Sequence, residues 1–549
     1  MNNDDITINT ALISVTDKTG LVDFAAQLFQ LNPNLKIIAS GGTANILRKA
    51  GINTVPIEQY TGFPECFEGR VKTLHPIIEG GILFKRGEHD EEAKELGILP
   101  IDMVVCNLYQ FEDAVQKPDI TTEDLIEHLD IGGSTLIRAA LKNHKHVAVV
   151  TDVTDYSLLS EELEKNNCKL SIHTRRRLAQ KAAVLSAEYE TAIAQELTKR
   201  LTNEETHRPN LRYGKKLRYG ENPDQEAWVY QFVDQYGIAQ SEVLAGKDPS
   251  YNNYEDATYA HNATQELIKA GFVNGVAVIK HGSLCGYATG PTLEQAFEKA
   301  WEGDVKSAFG SVISFTENVE ESLIPHLKGK FIEVLIAPQF APSFIDWVKE
   351  KRPNLRLLKT PKTDNKCPLV YKNVSGGMLV QTGKELQATL LDTLLNPATE
   401  IEGKRIGVVT KLQPNQENQR KTIFAITAVN YAKSNAIVIV REWTVGYYQV
   451  IGIGSGQPNR VDSLKRLAIP KAIENLQNEN IPDAKEVLKE CALASDGFFP
   501  FDDSIRYGAE YGIRYCIQPG GSIRDDEVIQ AADELNVCMI FTGERYFTH

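Results

Sequence analysis

An α/β fold with more than one domain is what this sequence predicts, and three observations predict it. At 549 residues the chain is too long for a single core. Residues 1–150 alternate short apolar runs with helical segments. After a long charged helix the alternation resumes, and two of the later strands run into glycine-rich turns.

Taken in order, residues 11–15, 35–39, 101–106 and 147–150 read as buried strands, and 21–31, 43–49 and 134–143 as helices. That order implies a parallel sheet covered on both faces. Residues 174–202 are helical and charged. A polar stretch follows at 203–216, with Pro209, Gly214 and a doubled L-R-Y-G at 211–214 and 217–220. The domain boundary is placed there: one domain over 1–200 with its core at about 1–150, and a second over 201–549. The strand-then-glycine regions at 276–286 and 434–457 hint at a duplicated α/β unit, its halves separated by a surface loop at 363–372.

Composition narrows the function classes. With 42% apolar and 24% charged residues, a polar start and no apolar run long enough to span a bilayer, the chain reads as cytoplasmic, with no membrane partner. Its eight cysteines (66, 106, 168, 285, 367, 491, 516 and 538) form no C-x-x-C pair, which argues for reduced thiols and against structural zinc or a disulfide framework. A net charge of −14 opposes binding to a nucleic-acid backbone. An anionic small substrate requires local clusters of Lys and Arg.

Such clusters are present. Ser40-Gly41-Gly42-Thr43 follows a strand and opens a helix near Ala44, so backbone N–H groups, a hydroxyl and the helix dipole can face an oxyanion. An ordinary capped turn is the alternative. Thr16-Asp17-Lys18-Thr19-Gly20 repeats the arrangement and adds Lys18; two such turns at one sheet edge favour a phosphate. Gly69 to Pro76 contributes Arg70 and Lys72. Asp130 precedes a helix carrying Arg138 and Lys142 one turn apart, and on local grounds it is a cap.

In the second domain, Val276-Ala277-Val278-Ile279 runs into Lys280-His281-Gly282-Ser283-Leu284-Cys285-Gly286, setting a cation beside a general base. The strand is expected to carry both to the carboxyl edge of a sheet, where open α/β folds bind ligands. Strand neighbours face opposite sides, so the pair can serve one substrate only if the chain turns there; Gly282 and Gly286 permit it.

The N-terminal motifs S-V-T-D-K-T-G (14–20), A-S-G-G-T-A (39–44), G-R-V-K-T-L-H-P (69–76), C-N-L-Y (106–109) and D-I-G-G-S-T-L-I-R-A-A-L-K-N-H (130–144) resemble the inosine monophosphate (IMP) cyclohydrolase domain of the bifunctional purine biosynthesis enzymes, similar in fold to methylglyoxal synthase. The resemblance implies that Thr16, Lys18, Ser40, Gly41, Gly42, Thr43, Arg70, Lys72 and Thr73 hold a ribotide phosphate. It also implies that Lys72, Tyr109, Asp130 and Lys142 surround a closing ring, with Lys142 as proton donor and acceptor.

The later motifs resemble the aminoimidazole carboxamide ribotide (AICAR) transformylase half of the same family. They are L-R-Y-G-E-N-P (217–223), V-I-K-H (278–281), S-A-F-G (307–310), E-V-L-I-A-P (333–338), S-N-A-I-V (434–438), G-I-G-S-G-Q-P-N-R-V (452–461), A-S-D-G-F-F-P-F (494–501), Q-P-G-G-S-I-R-D (518–525) and T-G-E-R-Y-F-T-H (542–549). The resemblance implies His281 as general base, Lys280 as the cation steadying a charged intermediate and Asn435 as a hydrogen-bonding partner. Arg218, Tyr219, Phe309, Gly310, Glu333, Arg460, Phe498 and Arg545 are the implied substrate contacts. Outside it, Phe309 and Phe498 read as core, Arg218 as a linker charge and Glu333 as a surface acid.

The fold so implied is a methylglyoxal synthase-like parallel-sheet domain followed by a duplicated cytidine deaminase-like α/β transformylase region. The implied co-substrate is 10-formyltetrahydrofolate, with no metal, and the implied assembly is a homodimer. Three positions depart from the family pattern: Leu284 stands where a Pro-containing turn is frequent, Asp224 where His is common, and Asp502 where Arg often follows F-F-P-F. Residues 441–450 are longer than the family leads one to expect; they read as an extended hairpin or a modified folate entrance. A zinc deaminase would need P-C-x-x-C, which is absent. A nucleotide sensor without chemistry would not need Lys142, Lys280 and His281.

Overall fold

The computed structural model describes residues 4–109, 111–233, 235–360, 369–384, 393–415 and 418–549. It divides into two units, Met1–Asn210 and Leu211–His549. Among the described residues no helix is long and apolar enough to cross a membrane.

In the first unit, β1 (Thr10–Ser14), β2 (Lys36–Ala39), β3 (Val55–Pro56), β4 (Met103–Cys106) and β5 (Ala148–Val150) form a parallel sheet of order β3-β2-β1-β4-β5. The strands read as near-continuous apolar runs because both faces are covered. Among the covering helices are α1 (Leu21–Leu31), α2 (Gly41–Lys49), α3 (Ile131–Lys142) and α4 (Ile172–Thr202). The strand order reverses between β1 and β4, and the carboxyl ends of such neighbours open a crevice. The turns after β1, β2 and β4 all lie at that edge.

The second unit is built on a 13-stranded sheet. Helix α5 (Tyr251–Lys269) precedes a hairpin of β6 (Gly275–Lys280) and β7 (Ser283–Thr289). Then come β8 (Ser311–Phe315), β9 (Ile332–Ala337) and β10 (Arg356–Lys359). Strand β6 runs antiparallel to β7 and β8, while β8, β9 and β10 are mutually parallel. A second set repeats this pattern: the hairpin β11 (Ile437–Thr444) and β12 (Tyr447–Gly454), then β13 (Ala492–Ser495), β14 (Tyr515–Gln518) and β15 (Cys538–Phe541). Strand β11 is antiparallel to β12 and β13, and β13, β14 and β15 are parallel. The duplication hinted at by the glycine regions is therefore a repeat of topology. Antiparallel pairing of β7 with β12, at Ala288 and Gln449, joins the halves.

This pairing fixes which strand ends meet. Because β6 runs against β8, the end of β6 lies beside the start of β8, at the amino edge of the parallel trio. The expected placement of Lys280 and His281 at a carboxyl edge is corrected accordingly. In the second half the same long edge of the sheet carries the carboxyl ends of β13, β14 and β15, since Ile437 pairs with Ser495 and the β7–β12 seam is antiparallel.

Three further expectations change. Residues 211–216 are not linker but a strand, Leu211–Lys216, paired with Trp228–Phe232. Of the loop expected at 363–372, residues 363–368 lie outside the described residues, and 369–372 belong to the strand Leu369–Val374 of a hairpin with Gly377–Thr382. Gly286 makes no turn. It lies inside β7, where a Cβ would fall on the backbone carbonyl of Ala300, so its role is to admit the helix Leu293–Glu302.

Candidate active sites

At the carboxyl edge of the first sheet, α2 starts at Gly41, earlier than the expected Ala44, with Ser40 as its N-cap residue. The leading N–H groups of a helix have no intrahelical acceptor, so those of Gly41, Gly42 and Thr43 are donors at this edge. The Thr43 hydroxyl is less available: it is buried and bonds the backbone of Val15 in both directions at 3.3 Å. Ser40 accepts from Ser14 Oγ at 3.1 Å.

The neighbouring turn is held by Asn107, whose Oδ1 accepts from Thr16 N (2.6 Å) and Asp17 N (3.1 Å) and whose Nδ2 donates to Asp17 O (2.9 Å). Lys18 Nζ folds back onto Thr16 O at 3.0 Å. Asn107 escaped the residue-by-residue reading, although C-N-L-Y contains it.

Lys72 closes over this cradle: a Cβ at Gly41 would lie 3.2 Å from its Nζ. Its charge is balanced by Glu65 and, at 3.9 Å, by Glu58. Thr73 is buried against the start of α3, where a Cβ at Gly132 would come within 2.5 Å of its Oγ1. Arg70 is exposed and ion-paired with Glu127.

Asp130 caps α3, its Oδ1 accepting from Gly133 N at 2.7 Å, while its own N–H donates to Tyr189 Oη of α4 at 2.8 Å. Burial raises the pKa of this carboxyl, opposed by the N–H groups of Gly133 and Tyr109. Tyr109 is half exposed beside it. Lys72, Thr73, Tyr109 and Asp130 thus converge.

Lys142 does not join them. It ends α3, about 18 Å from Asp130 by the helical rise. As a crossover, α3 returns the chain to the amino end of β5, so Lys142 sits at the opposite edge of the sheet. Within one chain the implied ring of four is a group of three plus a remote lysine.

At the long edge of the second sheet, Lys280 ends β6 and His281-Gly282 form a two-residue turn with φ of 54° and 65°. Positive φ at both positions is the type I′ hairpin geometry, and it supplies the turn that the Lys-His pair required. Lys280 Nζ donates to Phe309 O at 2.5 Å, beside Gly310. Phe309 is 58% exposed, so it is not core. Leu284 is buried in β7, and the departure there leaves the turn intact.

Across the seam, Lys433 Nζ donates to His281 O at 3.1 Å, and Lys433 O accepts from Gly456 N at 2.9 Å. Asn435 donates to Gln457 O at 2.9 Å, and its carbonyl accepts from Ser463 Oγ at 2.6 Å. Two segments about 150 residues apart are therefore neighbours at this edge.

Farther along the edge, buried Asp496 accepts from Ser434 Oγ and faces Arg460 at 3.2 Å. The Arg460 guanidinium lies over Phe547 at 5.4 Å; that of Arg545 lies over Phe498 at 5.4 Å and Phe547 at 5.7 Å. Arg545 also lines a cleft of about 940 Å³ with Lys384, Lys404, Arg405, Gly520 and Gly521. In the first half, Glu333 accepts from Asn253 Nδ2 at 2.8 Å. Arg218 lies over Tyr219 and donates to its hydroxyl at 2.9 Å. Arg356 is near enough for Glu333, Arg218 and Tyr219 to act on its charge. Asn253, Asp256, Arg356 and Lys433 lie in none of the motifs and were missed; Asp496 stands in A-S-D-G-F-F-P-F but, like Asn107, was not singled out.

Comparison with known proteins decides the family. A family model described as AICARFT/IMPCHase bienzyme matches residues 139–471, and one described as MGS-like domain matches 20–135. The chain belongs to the AICARFT/IMPCHase bienzyme family. Relatives called bifunctional purine biosynthesis protein PurH include that of Lactobacillus acidophilus, 41% identical over 98% of this chain and 99% of its own. Those of Persephonella marina (41%) and Bacillus cereus (39%) match over the same shares. Residues 20–135, within the first unit, are MGS-like, and the expected α/β class holds throughout.

The hairpin of residues 441–450 is present, but its tip, Val445-Gly446, lies at the far end of β11 from Asn435. Trp443 Nε1 donates to Thr289 O at 2.9 Å, at the end of β7 away from His281. Within this chain the hairpin tip is therefore remote from His281 and Asn435. Asp224 is exposed at a turn, and Asp502, partly buried at a turn, pairs with Arg506 at 2.6 Å.

Proposed function

We propose that this bifunctional enzyme of purine biosynthesis transfers the formyl group of 10-formyltetrahydrofolate to AICAR at the long edge of the second sheet. The formylated ribotide then closes to IMP at the carboxyl edge of the first. The observation carrying the reading is the single edge on which Lys280, His281, Asn435, Arg460, Phe498 and Arg545 assemble from both halves.

In the transfer, the ribotide amine forms a bond to the formyl carbon and the bond from that carbon to folate N10 breaks. His281 takes the amine proton, the general-base role that imidazole side chains fill most often. Lys280, anchored on Phe309 O, stands where the oxyanion gathers charge. Arg545 and Arg460 are forks for anionic groups of the ligands, and Glu333 and Arg218 contact the ribotide. N10 leaves protonated.

In the closure, the carboxamide nitrogen attacks its own formyl carbon and water departs. The enzyme's part is to fold the substrate and move protons. Lys18 and the N–H groups of Gly41, Gly42 and Thr43 receive the phosphate, with Thr16, Ser40, Arg70 and Thr73 around it, while Lys72, Tyr109 and Asp130 face the ring. Lys142 enters only as a remote basic group. The active form is a cytoplasmic homodimer, a reading that rests on the family resemblance and the unpaired cysteines.

An assay following tetrahydrofolate release and inosinate absorbance separately tests both assignments. His281→Ala is expected to cut formyl transfer to a small residual rate while supplied formylated ribotide still closes; loss of both reactions in folded protein would refute the two-site reading.

A further inference from the structure

The His281 turn is held from outside. In a two-residue hairpin loop the central N–H groups have no partner in the ladder. Here both go to one carboxylate: Asp256 Oδ2 accepts from His281 N at 3.1 Å and Oδ1 from Gly282 N at 2.6 Å. Asp256 lies on α5, nine-tenths buried, and Lys433 Nζ donates to the His281 carbonyl from the other side. A histidine at φ 54° costs on the order of 1 kcal/mol relative to right-handed backbone, and Asn-Gly is the usual occupant of such a turn. Left alone, His281 has reason to relax to negative φ, which would swing its Cα–Cβ bond to a new direction. Bonds to an ionised acceptor are stronger than neutral ones, and two of them on adjacent N–H groups oppose that change.

We infer that Asp256 is a positioning residue for formyl transfer: it holds the 281–282 turn in the left-handed geometry that aims the His281 imidazole at the ribotide amine. The inference rests on the assignment of His281 as base. Asp256 touches no reacting atom; it acts through the backbone. Asp256→Asn nearly preserves shape but offers one oxygen and turns an NH₂ toward the second N–H.

The test measures kcat and KM for both reactions in Asp256→Asn, His281→Ala and the double variant. Asp256→Asn is expected to lower kcat for formyl transfer about 100-fold with the ribotide KM within about twofold. Ring closure, housed in the first unit, should be unchanged, and a circular-dichroism spectrum and urea midpoint matching the parent report that the second unit is folded. In the His281→Ala background the second substitution should cost nothing more, because no imidazole remains to aim. Losses that multiply in the double variant would make Asp256 a general structural residue and overturn the inference. A fully active Asp256→Asn beside an inactive His281→Ala would overturn it alone, whereas an active His281→Ala would remove the base assignment beneath it. Should Asp256→Asn fail to fold, Lys433→Met reads the same clamp from the carbonyl side, with a smaller kcat loss expected and an unchanged kcat refuting it.

Discussion

Asn253 donates its side-chain amide to the Glu333 carboxylate over 2.8 Å, joining the first turn of α5 to the start of β9. The same residue forms a capping box with Ser250, so its position is fixed before Glu333 is met. Asn253→Ala should leave Glu333 free to rotate and raise the KM of formyl transfer for the ribotide about tenfold, with kcat little changed. Steady-state kinetics at saturating folate decide it. A fall in kcat at constant KM would place Glu333 in the chemistry rather than in binding.

Lys72 and Lys142 of the first unit separate cleanly. Lys72 faces the α2 cradle, and Lys142 is a sheet's width away. Lys72→Ala is expected to slow ring closure about 100-fold or more, and Lys142→Ala less than about tenfold. Single-turnover closure of supplied formylated ribotide measures both. A Lys142→Ala loss as deep as that of Lys72→Ala would mean the remote lysine reaches the ring by a route that one chain does not provide.

Trp443 belongs to stability. Its indole donates to Thr289 O and its ring lies 5.6 Å from the Lys299 ammonium. Trp443→Ala should cost about 1–3 kcal/mol in urea unfolding. The KM for 10-formyltetrahydrofolate should stay within about twofold. A raised folate KM at unchanged stability would return the hairpin to the ligand entrance.

Two buried groups of α5 give stability opposite dependences on pH. Burial lifts the Glu266 pKa from the ordinary range near 4.5 to about 7, with Asn430 Nδ2 at 2.9 Å partly offsetting it. Burial lowers His261 from near 6.5 to about 4. Between pH 4.5 and 7 the folded state holds the Glu266 proton that the unfolded chain has lost, so stability falls as pH rises. Below pH 6.5 the unfolded chain protonates His261 and the folded state does not, so stability falls as pH drops. Glu266→Gln removes the first effect. It should raise stability at pH 8 by about 2–3 kcal/mol and expose a steeper loss on acidification below pH 6.5. Urea midpoints at pH 5, 6.5 and 8 measure both; an unchanged profile would show that Glu266 is ionised in the fold at all three.

Much of this was legible in the chain. The strands and helices of the first unit follow from apolar periodicity, and the Lys280 to Gly286 motif marked a turn and a base before any geometry. Edge polarity was not legible: whether β6 runs with or against β8 is decided by pairing over 30 residues away, which no local pattern encodes. Lys142 is a different case. Twelve residues of helix after Asp130 already imply the separation seen, and resemblance to a family motif outweighed that arithmetic. Asp256 and Lys433 work through backbone atoms, and a residue that grips main chain leaves no signature in side-chain chemistry.

The β7–β12 seam has a consequence for inheritance. Across it run Gln449 Nε2 to Lys299 O, Asn475 Nδ2 to Gly303 O and the Lys306–Glu474 ion pair, all between one repeat and the other. On the proposed assignment neither repeat owns a transformylase site, since one contributes His281 and the other Arg460 and Arg545. A gene broken between them would encode two proteins inert apart and competent only when reunited, so selection must retain the repeats as a pair.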